Sequence, residues 1–132
     1  MSHENVEIVR RAVEAWDQNG SEAAKKFWAT DIEWHDPPNL PDPRVVRGRD
    51  AVAAYLMEQV NAVGDIDVTL VDVRTKDEAV VLRMEMTIHG SESGVDVPGE
   101  LAQVVDVADR RLRRVRLFRT WEEALEAAGL SE

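Results

Sequence analysis

The chain has 132 residues, 44% hydrophobic and 32% charged, a balance that fits one globular domain spanning residues 1–132. Sixteen Lys and Arg against 26 Asp and Glu give a net charge of −10, which opposes nucleic-acid and anionic-membrane partners. The absence of cysteine excludes disulfides, thiolate chemistry and cysteine metal sites, no apolar run spans a bilayer, and MSHENVEIVRR carries no apolar secretory core, so the expected compartment is the cytoplasm.

Val6, Val9, Val13 and Trp16 recur at i, i+3, i+7 and i+10, one helical stripe with Ser2 as N-cap and Asn19-Gly20 as its stop. Ser21 is placed to cap a short second helix carrying Ala24, Phe27 and Trp28. Ile32 to His35 reads as extended. It runs into EWHDPPNLPDP, Glu33 to Pro43, which holds four of the five prolines. GRDAVAAYLMEQVNAVG is a third helix, with Asp50 as N-cap, a stripe of Val52, Leu56, Val60 and Val63, and Gly64 at its end.

After Gly64 the hydrophobic period falls from 3.6 to 2. IDVTLVDV, VLRMEMTIH, ELAQVVDV and VRLFRTW each alternate, the mark of half-buried antiparallel strands. TKDE and ADRR are hairpin-length links, and GSESGVDVPG is a longer tip. TWEE, Thr120 to Glu123, opens a last short helix as a capping box, and Gly129 with Leu130 closes it as a Schellman ending. The expected class is α+β. Three N-terminal helices pack on one face of a curved antiparallel sheet, forming a cone with an apolar pocket and a short C-terminal helix.

Three stretches together carry a resemblance: ATDIEWHDP with the later VVRGRDAVAAYL, VLRMEMTIHG, and LRRVRLFRTWEEALEAAGL. The chain resembles the SnoaL-like group of the nuclear-transport-factor-2-like superfamily over essentially its whole length. Enzymes of that group include ketosteroid isomerases, polyketide cyclases and epoxide hydrolases. Likeness to the isomerases implies a general-base role for Asp36. It puts the second oxyanion group at Gln103, or at Val104 if the register slips, where the isomerases have a carboxylic acid. The oxyanion tyrosine maps near Ala12 or Val13, where this chain has none. Likeness to the polyketide cyclases implies one acidic residue in an apolar pocket, a role open to Asp36. Likeness to the epoxide hydrolases implies an Asp-Arg-Asp set, of which Asp36 and Arg119 supply two members.

Each candidate has two readings. Asp36 is a base at the pocket mouth, or it starts a turn and accepts backbone N–H bonds. Trp34 shares its face, whereas His35 alternates to the other side. Trp16, Trp34, Tyr55 and Trp121 are core or pocket wall, as are Leu82, Met84, Met86, Leu101, Val105 and Leu117, with Trp28 most simply core. Gln103 and Arg119 are polar members of inward sets and need a partner, in the protein or in a ligand. The run RRLRRVRLFR faces Glu85, Arg83, Glu100 and Asp106 on the outer sheet face. Cross-strand charge pairs account for it without nucleic acid. In relatives this face commonly makes a homodimer. His3, His35 and His89 show no metal-ligand spacing, and no cofactor fingerprint, phosphate loop or nucleophile elbow is present, so no metal or cofactor is expected. The expected function is a pocket for a small apolar molecule bearing a carbonyl or hydroxyl. It works either as a cyclase or isomerase with Asp36 as base, or as a non-catalytic binding or dimerisation domain with a largely filled pocket.

Overall fold

The computed structural model describes residues 2–90 and 94–130. The proposed Ser2 cap, a side-chain feature, and residues 91–93 of the loop tip lie outside the described residues. In chain order the elements are α1 (Ser2–Asn19), α2 (Ser21–Ala24), a 3-10 turn (Lys25–Phe27), β1 (Trp28–His35), β2 (Val45–Arg47), α3 (Arg49–Val63), β3 (Asp65–Lys76), β4 (Ala79–His89), β5 (Asp96–Ala108), β6 (Arg111–Phe118) and α4 (Trp121–Ala127). The six strands form one open sheet in the order β2-β1-β6-β5-β4-β3. Strands β3 to β6 pair antiparallel through short turns, as their period-2 patterns require. Asp109 and Arg110 take φ of 52° and 63°, the pair of positive values that a two-residue hairpin turn with the right twist needs.

β1 departs from the expected all-antiparallel sheet: it lies parallel to β6, with Trp34 level with Val115. Without it β6 would be an edge carrying the fully buried Val115, and β1 supplies the missing cover. β1 is also longer than the extended stretch read from the sequence. Trp28 begins the strand instead of closing a helix. Two caps shift as well. Gly20 (φ 77°) precedes α2, so Ser21 lies inside that helix and its hydroxyl lies 3.5 Å from the Ala53 carbonyl oxygen. Gly48 precedes α3, its N–H donating to the Ile32 carbonyl at 2.8 Å, so Asp50 sits in the first turn beside Lys25, 3.7 Å away.

Two apolar layers flank the sheet. On the inner face α1 and α3 cover Ile32, Trp34, Leu82, Met84, Val105 and Val115. On the outer face α4 covers Val81, Ala102, Val104 and Phe118 with Trp121, Ala124 and Leu125. The cone therefore has helices on both faces, not on one. α4 is held at both ends as its sequence predicts. The Thr120 hydroxyl accepts from the Glu123 N–H at 3.2 Å, and the Leu130 N–H reaches the Leu125 carbonyl at 2.8 Å with Gly129 at φ 78°.

Candidate active site

The inner layer is not filled. A cavity of about 270 Å³ lies between the sheet and helices α1 and α3, just under the range usual for small-molecule sites. α1 contributes Val13 and Trp16 because its stripe turns that way, and β1 contributes Trp28 and Trp34. The two indoles meet with centroids 5.9 Å apart and planes tilted 49°. Met84, Met86, Leu101 and Leu117 come from alternate positions of β4 to β6. Pro37 and Leu40 of the proline loop close one side. Across β5, Gly99 stands opposite Met86, and a Cβ there would come within 3.3 Å of the methionine Cε, so the lack of a side chain at 99 lets Met86 lie as it does.

Asp36 is the one charged residue lining the cavity among the described residues. β1 ends at His35, so Asp36 begins the loop, and its N–H donates to the Arg44 carbonyl at 3.0 Å. Its Oδ2 accepts twice, from the Arg44 N–H at 3.1 Å and from the Tyr55 hydroxyl at 2.7 Å. Oδ1 accepts from none of the described residues. Burial first, and the Asp36 carboxylate second, push the Tyr55 phenol up to about 12. The outer flank of that ring carries the Arg44 guanidinium, 5.8 Å from its centroid. The loop tip is tied across to α4, the Asn39 amide donating to Glu123 Oε2 at 3.1 Å.

Gln103 lines the cavity too, and its side-chain amide bonds to none of the described residues. It pairs in register with Leu117, another cavity residue, while Asp36 lines the same cavity from just past the end of β1.

Other expected members fall elsewhere. Leu82 and Val105 are on this face but fully enclosed in the core. Arg119 is exposed and off the cavity wall, because β6 ends at Phe118 and the alternation that would have turned it inward stops there. Trp121 opens α4 and belongs to the outer layer for the same reason. His35 lies on the outer face, its Nε2 3.0 Å from Glu33 Oε1, and hydrogen bonds from His35 and Arg47 lower the Glu33 carboxyl. The Tyr55–Asp36 pair was not read from the sequence, although Val52, Tyr55 and Leu56 stand at i, i+3 and i+4 and place the phenol at the edge of the buried stripe. Among the described residues no group of three or more His, Asp or Glu is arranged to hold a metal.

On the outer face Arg114 pairs with Asp106 at 2.7 Å and Arg83 with Glu100 at 3.2 Å, the cross-strand charges expected there. Arg116 differs: its Nε is buried without a hydrogen-bond partner, and burial together with Arg114 lowers its pKa. No helix is long and apolar enough to cross a membrane among the described residues.

A model of the SnoaL-like domain matches residues 9–115. No curated protein matches the sequence. Solved structures do. The structure of TerC co-crystallised with polyporic acid superposes with a TM-score of 0.78 at 13% identity, over 95% of this chain and 97% of that one. A SnoaL-like polyketide cyclase, so described, from Jannaschia gives 0.77 at 17% identity, over 100% and 96%. A protein of ketosteroid isomerase-like fold from Catenulispora acidiphila, in complex with trimethylamine, gives 0.74 at 15% identity, over 95% and 94%.

Proposed function

The chain belongs to the SnoaL-like domain family, and on that premise we propose that it takes one compact, largely apolar molecule into the inner cavity, with the ligand's polar end at Asp36. One observation carries this reading: a cavity of about 270 Å³ with apolar walls opens onto a single carboxylate that still has an unoccupied oxygen. Neighbours of the same fold hold organic guests, one polyporic acid and one trimethylamine.

In the enzymatic form of this reading, Asp36 Oδ1 takes a proton from a carbon beside a carbonyl, and the Gln103 amide polarises that carbonyl from elsewhere on the cavity wall. Tyr55 stays protonated and holds Oδ2, so the proton has one place to go. Arg119 has no part in it. A non-catalytic binding role is favoured by the same Oδ2, whose two donors tie the carboxylate to Tyr55 and to the backbone of its own loop.

A thermal-shift screen of compact aromatic ketones and alcohols on wild type and Asp36→Asn tests the site. Hits should stabilise wild type and lose most of that shift in the variant; shifts unchanged in Asp36→Asn place recognition elsewhere. Deuterium uptake into a bound ketone, present in wild type and lost in the variant, separates enzyme from binder.

The outer face is the proposed contact of a homodimer. The buried Arg116 Nε, which bonds to none of the described residues, and the pairs beside it support that role. Sedimentation of wild type and Arg116→Glu tests it. A wild-type monomer at micromolar concentration rejects it.

A further inference from the structure

We infer that the ligand is an organic cation, a compact alkyl- or arylammonium whose charged end is bound between Asp36 and the cavity's indoles. The inference rests on the cavity being the binding site. It holds whether or not the ligand is chemically changed.

The charge inventory of the wall comes first. Among the described lining residues only Asp36 is charged, and no lysine or arginine faces it from the cavity. Arg44 gives Asp36 its backbone N–H, while its exposed guanidinium lies over Tyr55. Once an apolar guest covers the half-buried Asp36, an ionised carboxylate there is costly unless compensated. Two donors at Oδ2 satisfy hydrogen bonding on one oxygen and leave the charge in place. An anionic guest would add to it, a neutral guest would leave it, and a cation removes it. The net charge of −10 favours the approach of cationic guests.

The aromatic inventory points the same way. Trp16, Trp28 and Trp34 line the cavity, and Trp34 stands two residues before Asp36, which lines it too. An indole attracts a cation held within about 6 Å of its centroid, more strongly once water is excluded. The tilt of 49° between Trp28 and Trp34 gives a folded wall rather than a flat one, suited to a rounded trimethylammonium head. The volume of about 270 Å³ limits the guest to the order of one substituted ring.

Phenyltrimethylammonium and its neutral isostere tert-butylbenzene have the same shape and differ by the charge alone. Each is titrated into the protein, followed by tryptophan fluorescence and calorimetry. The cation should bind about tenfold tighter or better. Asp36→Asn should reduce that preference to near parity while still taking up the isostere. Equal affinities in wild type overturn the inference and leave the cavity reading standing. A preference that survives in Asp36→Asn overturns the role given to the carboxylate. If neither compound binds, both the inference and the cavity reading fall. Should the variant not fold, the wild-type pair decides alone, because the isostere comparison needs no mutation.

Discussion

The two faces of one sheet are built by the same strands and end in opposite states. Outward positions Val81, Ala102, Val104 and Phe118 pack against Trp121, Ala124 and Leu125 of α4, with charge pairs around them. Inward positions are as apolar and just as well covered, yet they enclose an open space. Shape makes the difference. Small and β-branched outward residues fit under one short helix, while indoles, methionines and a proline loop on the inner side meet at angles that close-packing cannot fill. A hollow beside a dry layer shows that apolarity alone does not fill a core.

The comparison can be broken by removing bulk from the dry side. Leu125 is 1% exposed, and Leu125→Ala should cost about 2–5 kcal/mol in urea unfolding. Ligand uptake by the folded fraction should not change. If uptake falls as well, the two layers are not separate.

On the hollow side, Tyr55→Phe removes a donor from Asp36 and should cost about 1–2 kcal/mol. Tyr55 is the only tyrosine, so alkaline absorbance titration reads it directly. Its folded value, about 12, lies above the ordinary 10. The stabilisation is therefore complete below pH 10 and is lost as pH climbs through about 12. A midpoint at 10 in the folded protein would mean that the pair with Asp36 does not form. Thr120→Ala, which removes the cap of α4, should cost about 1 kcal/mol by thermal unfolding.

The smallest effect belongs to the far end of the sheet. His89 has Asp67 2.6 Å from Nε2 and Asp96 2.7 Å from Nδ1, and these carboxylates raise its pKa above 6.5. That contribution is full below 6.5 and fades as pH rises through the higher folded value. His89→Gln should flatten a weak slope in melting temperature there. An unaltered slope assigns it to another group.

Much of the fold was legible because burial repeats. Period 3.6 marked α1 and α3, period 2 marked the four long strands, and Thr120, Gly129 and Leu130 marked both ends of α4. What escaped depends on long-range neighbours. The parallel β1–β6 pair joins residues about eighty positions apart, and no local pattern fixes it. The covering of the outer face was written in Ala102 and Val104, apolar members of an otherwise polar set, and was missed because the charges beside them dominate that set. Arg119 was misplaced by running an alternation one turn past the strand's end. Asp36 and Trp34 on one face with His35 on the other followed from alternation alone. The partner Tyr55 needed the third dimension.

The parallel course of β1 and β6 has a further consequence for any shortened form of the chain. Parallel strands finish at the same end of a sheet, so the loop that starts at Asp36 and the helix that starts at Trp121 leave from adjacent corners. The Asn39–Glu123 bond spans 84 positions of sequence at that corner. Helix α4 is therefore part of the frame around the cavity mouth, and deleting it would remove a support from the loop that carries Asp36.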